Sequence, residues 1–344
     1  RMDVLQLRAR MSLMLAARSP SEAETLAPVL GVVAAADKIS DAAGDIAKIV
    51  SDEIGLPDAM RGALTEGVET LVRGTVVDDS TYAGRPLGDV DLESLTGVRV
   101  IAVRRDDDWI CNPGPATRLE PGDVTLLRGP EAGVSEVYPA LAGEPFEPDP
   151  PAEPAIDDLE RAVDSIVLMK NLSELSVDLA YGAVLFDTEA LATEVSNLEV
   201  EVDALQSRFE AWTLRAAKAA ADPVSLRGLI HLGVATEEIS DAAVEIAEGV
   251  LRDLSVHPVV EMAVRESDEI ITRTPVEAGS ALAGTRVEDG VPATDISTSV
   301  LAIRRPDEGW LVGPDLDTTI RVGDVIISKG TRTSATEFAS LADV

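Results

Sequence analysis

The chain has 344 residues, with 62 acidic side chains against 29 basic ones and a formal net charge of −33. That charge repels a polyanion, so nucleic acid is not expected as a partner. No run reaches the roughly 18–20 apolar residues of a membrane span, which argues against direct membrane insertion.

Residues are 45% apolar but only 3% aromatic, so the cores are expected to be Ala, Val, Leu and Ile. One cysteine, Cys111, cannot build a disulfide framework and fits a reducing cytoplasm. Arg1-Met2-Asp3 shows no signal-peptide pattern.

In chain order, Ser19-Pro20 opens a helix expected to end near Ile54-Gly55. Strands are then expected at Glu69–Val77, Val98–Arg104, Trp109–Cys111 and Val124–Arg128, the counterparts of strands later in the chain. The run from Gly143 to Pro154 holds prolines at 145, 148, 150, 151 and 154 and reads as an extended linker.

Apolar residues at helical spacing predict helices over Ile156–Asp187 and Thr188–Ala221. A third, capped by Asp222-Pro223, is expected to run to about Leu254, and the three make an antiparallel bundle. A short helix over Val259–Glu266 should precede strands at Glu269–Val276, Val300–Arg304, Trp310–Val312 and Val325–Ser328 and a closing helix over Thr333–Leu341.

The second half repeats the first. Ile39-Ser40-Asp41-Ala42-Ala43 returns as Ile239-Ser240-Asp241-Ala242-Ala243. Val100 to Arg105 returns as Val300 to Arg305. Trp109, Pro113, Gly122-Asp123-Val124 and Gly129 return 201 residues later. A helical piece and a strand-rich α+β piece recur in the same order, so the chain is a tandem of two-part modules. The repeat places Leu5 opposite Leu205, so the first module is expected to start partway along its second helix, N-terminally truncated. The expected domains are a helical piece at 1–57, an α+β domain at 66–142, the linker at 143–155, a three-helix domain at 156–258 and a second α+β domain at 267–344. A duplicated module can pair with its own copy, within one chain or in a homodimer.

Asp37-Lys38-Ile39-Ser40-Asp41-Ala42-Ala43-Gly44-Asp45-Ile46-Ala47 and Glu237-Glu238-Ile239-Ser240-Asp241-Ala242-Ala243-Val244-Glu245-Ile246-Ala247 resemble a helix signature of the PhoU family. Serine replaces its glycine, and Asp45 and Glu245 replace its asparagine. The α+β pieces resemble the TrkA-C domain, the C-terminal domain of RCK potassium-transport regulators, through Val100 to Arg105, Asn112-Pro113-Gly114-Pro115, Gly122-Asp123-Val124 and their second copies. The resemblances imply all-α PhoU-like antiparallel bundles alternating with small α+β TrkA-C domains. No G-x-G-x-x-G follows a strand, so the Rossmann half through which RCK proteins bind nucleotides is not expected here.

The acidic, Lys-poor composition (five Lys, 24 Arg) also resembles that of proteins from salt-loving microbes, where salt screens self-repulsion.

Three helices of the second module carry acids one turn apart: Glu174 with Asp178, Glu199 with Asp203, and Glu237 with Asp241. Paired carboxylates on facing helices suit a carboxylate-bridged divalent metal, and the PhoU resemblance implies such a site. The spacing is also cheap, since roughly 11 acid pairs four apart would arise by chance in so acidic a chain. A solvated acidic face is the competing reading.

Arg104-Arg105 and Arg304-Arg305 end a strand in both copies. Only one residue of each pair can face a given side. They serve either as salt bridges to local acids or, with Asn112, as ligand contacts. The TrkA-C resemblance implies the second, since some such domains bind cyclic di-AMP between paired copies. Gly122-Asp123 and Gly323-Asp324 read as turn residues. No nucleophile–base set or nucleotide loop is present, so no enzymatic activity is expected.

The expected function is a cytoplasmic regulatory subunit of potassium or other cation transport, partnered with a membrane transporter or channel subunit and sensing a small ligand or ion through paired TrkA-C domains. The alternatives are a PhoU-type metal-binding regulator of phosphate uptake and a scaffold that senses nothing.

Overall fold

The structure is a computed structural model that describes residues 2–51, 70–106, 108–147, 157–252, 259, 262, 269–288, 290–294, 296–306, 308–313 and 316–342. The expected helix over 259–266 and most of the linker lie outside them. The modules that follow one another in sequence are regrouped in space. One compact unit joins Arg1–Leu64 with Pro151–Ser267, and the other joins Thr65–Pro150 with Asp268–Val344. Helical pieces therefore gather with helical pieces, and sheets with sheets.

The helical unit contains α1 (Met2–Ala16), α2 (Pro20–Ser51), α3 (Asp157–Phe186), α4 (Glu189–Ala219) and α5 (Arg227–Leu251). Before α5, Asp222 accepts from the Val224 N–H and Pro223 opens a 3-10 turn, the cap expected from the sequence. The α4 face Leu191, Val195, Leu198, Val202, Leu205 and Phe209 is buried, as its 3.6-residue spacing requires. It packs on α3 and α5.

The repeat-equivalent helices α2 and α5 pack on each other, and Lys38 pairs with Glu245 across them. Gly233 marks a tight approach. A Cβ there would lie 2.4 Å from the ring of Phe209, itself fully buried.

In the sheet unit, copy one runs β1 (Thr70–Thr75), α6 (Leu87–Val90), α7 (Leu92–Thr96), β2 (Arg99–Arg105), β3 (Asp108–Cys111), β4 (Val124–Gly129) and α8 (Glu131–Ala142). Its antiparallel sheet has the order β1-β4-β2-β3. Copy two runs β5 (Glu269–Pro275), β6 (Arg286–Glu288), β7 (Val291–Pro292), β8 (Ser299–Arg305), β9 (Gly309–Val312), β10 (Thr318–Thr319), β11 (Val325–Thr331) and α9 (Arg332–Ala342). Its main sheet, β5-β11-β8-β9, repeats the first order.

The copies share even their irregularities. The ladder slips at Ile101 in one and at Leu301 in the other, 200 residues apart. Ser80 donates to the Ala140 carbonyl at 2.9 Å and Ser280 to that of Leu341 at 2.8 Å. Each sheet closes over its own apolar cluster: Val98, Val103, Leu127 and Leu141 in one, Val300, Ile303, Ile326 and Phe338 in the other.

The copies differ in one stretch. Copy one has the short helices α6 and α7, where copy two forms the small sheet β10-β6-β7. Pro292 sits in that sheet, and proline opposes a helix interior.

Replacing Gly233 with alanine would force Phe209 off its site. A destabilisation of about 1–3 kcal/mol is expected in urea unfolding monitored by helical circular dichroism. Gly44→Ala is the control: a Cβ at Gly44 meets nothing within 4 Å.

Candidate functional site

The duplicated arginines form the first candidate. Strand alternation turns Arg105 inward from the end of β2 toward the turn before β4. Its Nε donates to Asp123 Oδ1 at 2.9 Å and its Nη2 to Oδ2 at 2.8 Å. The same Nη2 reaches the Arg118 carbonyl and Nη1 reaches Glu120, each at 2.8 Å.

Copy two repeats the fork. Arg305 donates to both Asp324 oxygens at 3.0 Å, to the Thr319 carbonyl at 3.0 Å and to Glu308 at 3.3 Å. Asp123 and Asp324 are buried, and each accepts a backbone N–H from the turn, that of Glu120 or Arg321, at 2.8 Å. Gly122 (φ 87°) and Gly323 (φ 89°) supply the left-handed residue each turn needs.

Burial alone would raise the Asp123 pKa. The hydrogen bonds from Arg105 and the Glu120 N–H outweigh it and hold that pKa below the ordinary carboxylate value. The Arg305 pKa is raised, chiefly by its hydrogen bond to Asp324.

Of the two readings left open for Arg105 and Arg305, the geometry therefore corresponds to the salt bridge. Each guanidinium fork is engaged by a buried carboxylate, and the Arg105 side chain keeps about a third of its surface exposed. Arg104 lies over the Trp109 ring, 5.8 Å from its centroid, and Arg304 is exposed.

Asn112 belongs to a different place. It is a left-handed residue (φ 50°) after β3, and its Oδ1 accepts from Arg99 Nη2 at 3.2 Å. Both line a recess of about 510 Å³ between the two copies. Copy one contributes the α6–α7 corner around Asp91, the start of β2 and the Asn112–Pro115 loop, while copy two contributes Thr331, Arg332 and Thr333. Glu93 flanks Arg99 at 3.7 Å.

The seam beside the recess is close. Ser94 Oγ and Thr331 Oγ1 share a hydrogen bond of 2.7 Å. A Cβ at Gly97 (φ 72°) would stand 2.5 Å from Ser297 Oγ. A smaller cavity of about 70 Å³ is lined by Gly97 and Ser297, Arg99 and Ser299, Arg128 and Lys329, and Pro130 and Thr331. These are repeat-equivalent residues, so the copies meet in an isologous, pseudo-two-fold manner.

Arg99 and Arg332 were not among the residues singled out from the sequence. The available signal was Arg99 lying between the buried Val98 and Val100, which turns it to the opposite face of the strand.

The acidic ladders fall in the helical unit. Glu237 lies near enough to Asp241, Asp203, Glu238 and Glu199 for their charges to add to burial, the larger cause, in raising its pKa. Glu199 is raised likewise by burial and then by Asp203 and Asp241. The α4 and α5 acids thus face one another, while Glu174 on α3 pairs with Lys170 at 3.0 Å. Among the described residues, no three His, Cys, Asp or Glu side chains are grouped so that they could hold a metal ion. No described helix is long and apolar enough to cross a membrane.

The TrkA-C domain model matches residues 71–142 and 271–342, and the PhoU domain model matches residues 166–250. The chain thus carries two TrkA-C domains with a PhoU domain between them. No curated protein matches it.

Among solved structures, the RCK_C domain dimer of S. agalactiae BusR in complex with c-di-AMP is 23% identical, covering 22% of this chain and 95% of that one (TM-score 0.20). BusR with its busAB-promotor DNA is 20% identical over 29% and 49% (TM-score 0.19). The GsuK RCK domain is 16% identical over 80% and 64% (TM-score 0.20). The domain assignment rests on the family matches. The expectation that nucleic acid is not a partner of this chain rests on its charge.

Removing Arg305 as Arg305→Met would leave the buried Asp324 side chain without its partner, at an expected cost of about 3–5 kcal/mol in urea unfolding; the exposed Arg304→Ala should change stability by less than about 0.5 kcal/mol. For Asp123 the folded pKa is depressed, so its contribution is present above the unfolded value of about 3.9 and is lost as pH falls through the folded pKa. The stability gap between wild type and Asp123→Asn should therefore narrow as the pH drops below about 4.

Proposed function

We propose that this chain is a cytoplasmic, non-enzymatic regulatory component of potassium or other cation transport. It senses a small ligand in the recess between its paired TrkA-C copies and acts on a membrane transporter or channel subunit. One observation carries the reading: a recess of about 510 Å³ whose walls come from both copies, with Arg99, Asn112 and Arg332 on them.

A ligand touching both copies binds their closed arrangement more tightly than a separated one. That difference is the only means by which it can shift the equilibrium. The link to potassium transport comes from the TrkA-C family, and the RCK neighbours are consistent with it. Cyclic di-AMP is the first probe to try, because a bound RCK_C dimer is among the structural neighbours.

At a hundredfold excess over Kd a bound ligand contributes about 2.7 kcal/mol. That corresponds to about 5–11 °C in the melting of a unit of this size. A thermal-shift experiment on the whole chain should show a shift of that order with cyclic di-AMP or another nucleotide, reduced in Arg99→Ala. No shift with any nucleotide would contradict sensing and leave the scaffold reading.

A further inference from the structure

Resting on the sensing reading above, we infer that the recess is one-sided. It takes one phosphate-bearing ligand per chain, held by Arg99 and Asn112 of copy one with Arg332 of copy two, and its pseudo-two-fold counterpart takes none.

Two identical subunits meeting about a two-fold axis would offer every such recess twice. Here the two halves are written separately in one chain and have diverged at the residues that matter. The repeat maps Arg99 onto Ser299, Asn112 onto Gly313 and Arg332 onto Glu131. The equivalence is structural as well. Arg99 and Ser299 both open the strand beside the last strand of their sheet, and Arg332 and Glu131 both begin the helix that follows it.

The observed recess thus carries two guanidinium groups and a side-chain amide, with Asp91 and Glu93 also on its wall. The symmetry-related positions carry a hydroxyl, no side chain and a carboxylate. An anionic group finds two guanidinium groups to pair with on one side and, at the mapped positions of the other, only a carboxylate. Asn112 Oδ1 accepts from Arg99 Nη2 at 3.2 Å, which turns the guanidinium toward the recess wall they share. The flanking Glu93 sits at 3.7 Å, longer than a hydrogen bond, so a phosphate can compete with it for the same cation. A ligand with two identical anionic halves would find matching partners for one half only.

Isothermal titration calorimetry on the full chain, with inorganic phosphate, AMP and cyclic di-AMP as probes, tests this. The expected result is a stoichiometry of one per chain for at least one probe. Binding should weaken tenfold or more in Arg99→Ser and in Asn112→Gly, each of which installs the residue copy two already carries. The double variant Ser299→Arg with Glu131→Arg should raise the stoichiometry toward two. Binding at two equal sites in the wild type, or binding indifferent to both Arg99→Ser and Asn112→Gly, would overturn the one-sided recess while leaving sensing intact. Absence of binding by all three probes at millimolar concentration would overturn both.

Discussion

The sheet unit depends on how closely two copies of one domain can approach. Gly97 gives up a side chain so that Ser297 can stand where its Cβ would be, and Ser94 and Thr331 close a hydrogen bond beside it. A bulkier residue at either point would push the copies apart and open the recess to solvent. Covalent linkage helps, because the partner sheet is always present and pairing is an intramolecular event. The repeat-equivalent helices α2 and α5 also pack on each other, so both halves of the duplicated module meet their own kind.

Most of the fold was legible because duplication states each pattern twice. The strands around Val100–Arg105 and Val300–Arg305 carry a short apolar run ending in an arginine pair in both copies, and the Gly-Asp turns mark where the following strands begin. The stretches that escaped are those where the copies diverge. Residues 87–96 form two short helices, and the corresponding 286–292 form two short strands. Segments this short carry no resolvable period, and Asp91 at φ 48° breaks the first into two pieces without a glycine to announce it.

The candidate site was only partly legible, for a related reason. Repetition draws the eye to Arg105 and Arg305, and those turn out to be repeated because both copies need the same buried lock on Asp123 and Asp324. What repeats here supports the fold. The chemistry that distinguishes the recess lies in residues that do not repeat, Arg99, Asn112 and Arg332, of which Asn112 alone stood out, through the Asn-Pro-Gly-Pro loop. The acidic ladders make the complementary point. Spacing along a helix tells which acids share a face, but packing decides which faces meet, as it does for the acids of α4 and α5.

The central claim is that the two TrkA-C copies of a single chain form the recess together. Disulfide trapping tests it most directly, with Ser94→Cys and Thr331→Cys introduced into a Cys111→Ser background and oxidised at high dilution. The account predicts a cross-link within one chain, seen as a faster-migrating monomer on non-reducing electrophoresis. Cross-linked dimers alone, or two unreacted thiols in the folded monomer, would contradict it.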